Sequence, residues 1–168
     1  MANNPTKDEL VTAARALIPS LRDRAEEAED LRRLPDETVA DLKVAGLHKV
    51  YMPRRFGGWE MDWGAHMDVS REISQACGSA GWIAGLVFSH VMWVARFGAD
   101  AQEEFFAANP EPIVATGSAG GGGLVETDDG YELTGRWGFT SGIDHANGAM
   151  VTAKLGDGPI FTHFVLLQ

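Results

Sequence analysis

His90, Ser118 and the adjacent pair Thr140-Ser141 are the side chains of this 168-residue chain whose types and spacing could do chemistry. His90 lies within the longest apolar run, 80–95. Helical spacing puts it on one face with Trp82, Leu86, Trp93 and Phe97, at steps of three and four. An imidazole desolvated between two indoles titrates below its usual range, and its neutral form can accept a phenolic proton or orient a hydroxyl. The same pattern also fits a packed core histidine bonded to a backbone carbonyl. Thr140 and Ser141 end a predicted strand beside Gly142, offering two adjacent donor/acceptors where a glycine allows close approach. Hydroxyls at such an exit also make ordinary local turn bonds. Trp82, Trp93 and Trp137 could wall a planar ligand, though aromatics at helical spacing are equally the stuff of a plain core.

Other candidates carry less. Gly117-Ser118-Ala119-Gly120-Gly121-Gly122-Gly123 reads as a glycine-rich turn that could turn amides and the Ser118 hydroxyl toward a ligand, or simply connect two elements. It lacks the Lys-Ser/Thr ending of a P-loop and opens no helix. Asp144-His145 is half of an acid–base pair, and no third ligand at metal spacing joins it from His48, His66 or His163, so no metal is expected. Cys77 has no nearby base in sequence and should pack.

The elements that must position these residues change character near Asn109-Pro110-Glu111-Pro112. Upstream, Leu10, Ala14, Leu17, Leu21 and Ala28 mark a helix from Thr6 to Asp30, kinked at Pro19. A second helix starts with Pro35 in its first position, buries Val39, Leu42 and Val44, and stops at Gly46. Leu47–Met52 reads as extended. Asp62 caps a third helix reaching Ala76, and Ser79 caps a fourth, continuous to Phe97. A short fifth covers Ala101–Ala108. Downstream, strands are predicted at Ile113–Thr116, Tyr131–Thr140, Ala149–Leu155 and Ile160–Leu167, with a hairpin at Asp128-Asp129-Gly130. The fold class is α+β: an all-α helical domain over 1–109 and part of an antiparallel β-domain over 110–168.

Composition narrows the partners. With 14 Lys+Arg against 24 Asp+Glu and a net charge of −10, the chain carries no basic footprint for nucleic acid or an anionic membrane surface. One cysteine excludes an internal disulfide framework and suits a reducing, cytoplasmic compartment. The apolar run 80–95 falls short of a membrane span.

Taken in order, Leu34-Pro35-Asp36-Glu37 through Ala45-Gly46-Leu47, Pro53-Arg54-Arg55-Phe56-Gly57-Gly58, Ser79-Ala80-Gly81-Trp82 to His90, and Gly135-Arg136-Trp137-Gly138-Phe139-Thr140-Ser141-Gly142-Ile143-Asp144-His145 resemble the acyl-CoA dehydrogenase-like superfamily. Within it they are most similar to the flavin-dependent monooxygenase branch, the oxygenase components of two-component aromatic hydroxylases. The resemblance implies a helical N-terminal domain, a β-domain and a C-terminal four-helix bundle that this chain lacks, so the chain reads as a fragment. It implies reduced flavin (FMN or FAD) as cofactor, a small aromatic substrate, a separate flavin reductase and a homotetramer. By position, Thr140 would meet flavin N5, with Ser141 as the fallback. Trp137 and Phe139 would flank the ring, and Trp82 would help wall it. His90 would contact the phenolic oxygen, and Ser118 would share that contact. An acyl-CoA dehydrogenase is the alternative enzyme, although its Thr-Glu-Pro-Gly-Ala-Gly-like loop is replaced here by Ala115-Thr116-Gly117-Ser118-Ala119-Gly120. A non-catalytic interaction scaffold is the alternative outside enzymes.

Overall fold

The computed structural model describes residues 4–158 and 163–167. The chain forms two compact units, Met1–Ile113 and Val114–Gln168.

The helical unit opens with a reciprocal cap. Thr6 Oγ1 accepts from the Glu9 amide (3.2 Å) while the Glu9 carboxylate accepts from the Thr6 amide (2.6 Å), satisfying two donors that the helix start would leave orphaned. The single kinked helix expected from Thr6 to Asp30 is three segments: α1 (Lys7–Ala16), α2 (Ile18–Asp23) and α3 (Ala25–Leu31). Pro19 has no amide to continue the ladder, so the chain restarts around it rather than bending smoothly. Of the expected stripe, Leu10, Ala14, Leu21 and Ala28 are buried, and Leu17, at the junction of α1 and α2, is half-buried.

Helix α4 (Asp36–Val44) takes Pro35 as its N-cap rather than its first helical residue. Val39 and Leu42 are buried, but Val44 is 91% exposed, against expectation. Two residues beyond Leu42 is a rotation of about 200°, which turns Val44 to the opposite side. Leu47–Met52 is not extended: a 3-10 turn at Leu47–Lys49 follows the left-handed Gly46. Its carbonyls are paired by the amides of the returning chain, Trp59 to Lys49, Glu60 to Met52 and Met61 to Val50, which allows Leu47, Val50 and Met52 to bury.

Helix α5 (Trp63–Ser74) is capped by Asp62 as expected, its carboxylate accepting from the Ala65 amide at 2.9 Å. The continuous helix expected from Ser79 to Phe97 is broken. Helix α6 spans Gly78–Gly85 with Cys77, not Ser79, at the N-cap, a 3-10 turn follows at Val87–His90, and α7 is only Val91–Val94. Helix α8 (Ala99–Ala108) completes the unit. No helix of the described residues is long and apolar enough to cross a membrane.

The second unit is a four-stranded sheet of β1 (Val114–Thr127), β2 (Gly130–Gly138), β3 (Gly148–Leu155) and β4 (His163–Leu167), ordered β2-β1-β3-β4. The hairpin at Asp128-Asp129 is as expected, and β4 begins within the predicted Ile160–Leu167 strand, whose residues 160–162 lie outside the described ones. Two expectations fail. The sheet is mixed rather than antiparallel, because β3 runs parallel to β1. The glycine-rich stretch Gly117–Gly123 is not a turn but the middle of β1.

Candidate active site

In the sheet unit two glycines of β1, Gly117 and Gly122, leave room for a tryptophan to cross the strand. Trp137 leaves β2, where its partner on β1 is Gly120, and its indole Nε1 donates to Thr152 O on β3 at 2.8 Å. A Cβ on Gly122 would lie 2.4 Å from Trp137 Cζ2, and one on Gly117 would lie 2.8 Å from Trp137 Cβ. Only glycine leaves room for the indole. The same crossing disturbs the ladder: the β1–β3 register jumps between Gly117↔Val151 and Gly122↔Ala153, a bulge built at Gly120 (φ 101). Thr152 sits opposite that gap, so its carbonyl is open to the indole and its Oγ1 is buried without a partner.

Beyond Gly138 the chain turns sharply. Phe139 adopts φ 55, a conformation that a bulky side chain takes only under constraint, and its ring is 93% exposed. The turn is closed by backbone groups, with the Ser141 amide donating to Phe139 O (2.9 Å) and the Ile143 amide to Thr140 O (3.2 Å). These bonds make no use of the Thr140 and Ser141 hydroxyls. Thr140 Oγ1 lies beside Gly117, where a Cβ would approach it to 3.0 Å. Structure thus brings Trp137 and Thr140 together around Gly117 and displays Phe139 and Ser141 next to them. Ser118 is exposed on β1 rather than carried on a loop.

In the helical unit His90 ends the 3-10 turn and is 5% exposed, as the apolar run implied. The expected face does not form as drawn: Trp82 is 57% exposed and Trp93 and Leu86 are each 37% exposed. A 3-10 turn advances by about 120° per residue instead of about 100°, so the four-residue step from Leu86 to His90 no longer returns to one side. Trp82 is therefore set apart in exposure from the histidine it was expected to accompany.

A buried polar cluster escaped the sequence reading. His48 is fully buried with neither ring nitrogen paired, edge-on to Phe88 at 6.2 Å between centroids, and burial pushes it down to about 3. His66 is 1% exposed and donates Nε2–H to Gly85 O at 2.8 Å. Burial lowers its pKa, partly offset by that bond. Tyr51 lies over His66 at 4.7 Å, and burial of its hydroxyl raises it to about 12. Sequence did hold a signal for His66. His66, Ser70 and Ser74 recur at steps of four on α5, and Gly81 and Gly85 do so on α6, which marks two faces able to approach closely. Among the described residues no cluster could hold a metal ion.

The fold is of the acyl-CoA dehydrogenase-like type. Residues 4–108 match the family model of the acyl-CoA dehydrogenase N-terminal domain, and the chain belongs to that family. It is 38% identical over 135 residues to the flavin-dependent monooxygenase oxygenase subunit HsaA of Mycobacterium tuberculosis, covering 80% of this chain and 34% of HsaA. It is 33% identical over 135 residues to the p-hydroxyphenylacetate 3-hydroxylase oxygenase component of Acinetobacter baumannii, covering 80% of this chain and 32% of that protein. Among solved structures, XiaF from Streptomyces in complex with FADH2 and glycerol superposes with a TM-score of 0.89 at 30% identity, over 96% of this chain and 41% of XiaF. The chain spans about a third of the length of the curated relatives it matches.

Proposed function

We propose that the protein is the oxygenase component of a two-component flavin-dependent monooxygenase that hydroxylates a small aromatic, phenolic substrate. A separate reductase would supply its reduced flavin, and it would work as a homotetramer in the cytoplasm. The observation that carries this reading is the exit of β2. The Thr140 and Ser141 hydroxyls stand outside the backbone bonds that close their turn, beside a strained, exposed phenylalanine. That donor set fits an isoalloxazine edge: Thr140 Oγ1 can accept from N5–H, with Ser141 adjacent, and the exposed Phe139 ring can cover a planar face. Trp137 would add its outer surface, its N–H being already committed to Thr152.

Reduced flavin, when bound, supplies the electrons that activate oxygen. The residues of this chain do the rest by positioning. A hydroxyl at N5 holds the proton whose loss would waste the activated oxygen as peroxide, and apolar surroundings keep water out. His90, desolvated in its tight turn, takes or orients the phenolic proton and so makes the aromatic ring more nucleophilic. Ser118, exposed on β1, is a candidate to meet a phenolic oxygen, and Trp82 a candidate flavin contact. The names of HsaA and the p-hydroxyphenylacetate 3-hydroxylase support the oxygenase role, and the FADH2 held by XiaF favours FAD over FMN.

Anaerobic titration with photoreduced FAD and FMN, followed by mixing with oxygen and a phenol, tests the reading. Saturable binding of reduced flavin and a hydroxylated product are expected. Failure to bind either flavin would overturn it.

A further inference from the structure

His66 does something that core packing alone does not require. In a continued α-helix the Gly85 carbonyl would receive the Ser89 amide. Here the Ser89 amide donates to Leu86 O at 3.1 Å, and Ser89 Oγ donates to the same carbonyl at 2.6 Å. The chain has tightened by one residue, and the Gly85 carbonyl is met by His66 Nε2 at 2.8 Å. A carbonyl can only accept, so Nε2 carries the proton.

The reach is short because α5 and α6 are in intimate contact. A Cβ on Gly81 would lie 2.2 Å from Ser74 Oγ, and one on Gly85 would lie 3.5 Å from Ser70 Cβ. The two serines stay out of the way by bonding backward along their own helix, Ser70 Oγ to His66 O and Ser74 Oγ to Ser70 O. His66 is therefore the one long polar side chain on a face of α5 otherwise lined by small residues, and it is aimed at the last turn of α6.

We propose that His66 is the positioning residue for His90: by donating to the Gly85 carbonyl it pins the point where α6 gives way to the 3-10 turn that carries His90. The inference takes the substrate role of His90 from the reading above, while its test reads the placement of His90 directly. Without the donor, the Gly85 carbonyl is either orphaned or reclaimed by Ser89. Reclaiming it removes about 20° of rotation per residue over the four residues 87–90, turning His90 by about 80°.

A long-range proton–nitrogen correlation spectrum of the labelled protein should find His66 protonated at Nε2 and bare at Nδ1. In His66→Leu the His90 ring resonances should shift, and the Ser89 amide resonance should move as its acceptor changes from Leu86 O to Gly85 O. His66→Gln, whose side-chain amide can reach the same carbonyl, should return both close to the wild type. Three results would each overturn the proposal: a His66 protonated at Nδ1, unchanged His90 resonances in a folded Leu variant, or a Gln variant that behaves like Leu. Should His66→Leu not fold, the tautomer and the Gln variant decide. If the spectra agree but His90→Ala leaves hydroxylation intact, the substrate role of His90 falls and its positioning by His66 stands.

Discussion

Alanine at Gly122 and at Gly123, neighbours on β1, should have opposite consequences. A Cβ at Gly122 would lie 2.4 Å from Trp137 Cζ2, 2.8 Å from Cη2 and 2.9 Å from Thr134 O, whereas one at Gly123 meets nothing within 4 Å. Carbon atoms need about 3.5–4.0 Å, so the indole must retreat by about 1 Å or more. It cannot do so and keep its 2.8 Å bond to Thr152 O. Overpacking costs about 1–3 kcal/mol. Leaving the carbonyl of a residue that is only 3% exposed without its donor adds about 1–3 kcal/mol. Gly122→Ala should therefore destabilise by about 2–6 kcal/mol. Gly123→Ala meets no clash and restricts the unfolded chain, so it should be neutral or stabilising by up to about 1 kcal/mol.

Urea unfolding followed by far-ultraviolet dichroism and tryptophan fluorescence measures both. With a slope of about 1–3 kcal/mol/M, the Gly122→Ala midpoint should fall by about 0.7 M or more. Adding Trp137→Phe should recover part of the loss, because the smaller ring vacates the space and the coupling between the sites becomes visible. A Gly122→Ala protein within about 0.5 kcal/mol of the wild type, or a Gly123→Ala protein that is the more damaged, would refute the argument that the glycines serve the indole.

Three further outcomes follow from single residues. The unfolded His48 imidazole binds its proton near 6.5 but the folded one only near about 3, so the unfolded state holds the extra proton between these values. Stability should therefore fall by about 1.4 kcal/mol per unit as pH drops through that window, and His48→Leu should lead the wild type by about 2 kcal/mol at pH 5 in denaturant titrations. Asp62→Ala removes the acceptor of the Ala65 amide and should cost about 0.5–2 kcal/mol by thermal or urea unfolding, with Asp62→Asn nearly silent. His90→Ala should slow hydroxylation of a phenol by about 10²–10⁴-fold while leaving reduced-flavin binding unchanged, and equal loss of both would remove the substrate role.

Much of the helical unit was legible because its signals are local. The Asp62 cap and the Leu10, Ala14, Leu21, Ala28 stripe depend only on neighbours along the chain, and both are present. His90 was recognisable as buried for the same reason. The break that carries it was not legible, since no proline or glycine follows Gly85 to announce a change of helical pitch. Its cause lies in tertiary contact: a carbonyl drawn to a side chain from another helix. The parallel pairing of β1 with β3 was equally hidden, because strand direction leaves no mark on a run such as Ala149–Leu155.

Glycine explains the candidate residues of each unit once it is read as space rather than as a turn. The stretch Gly117–Gly123 invited a loop because glycine usually marks a backbone that must bend. Of its glycines, Gly120 alone lies clearly in the left-handed region, whereas Gly117 and Gly122 are placed where the Trp137 side chain fills the volume a Cβ would take. Gly81 does the same against Ser74 in the helical unit. In each case a small residue permits a close crossing, and the crossing fixes a chemically useful neighbour: Thr140 beside Trp137 and Gly117 in one unit, His66 against Gly85 below His90 in the other. The candidate chemistry therefore depends on residues that bear no functional group. A variant such as Gly81→Ala, remote from every proposed catalytic atom, should force Ser74 aside, part α5 from α6 and draw His66 off the Gly85 carbonyl. It should reproduce in the Ser89 amide the resonance shift of His66→Leu, because both changes break the same hydrogen bond from opposite sides.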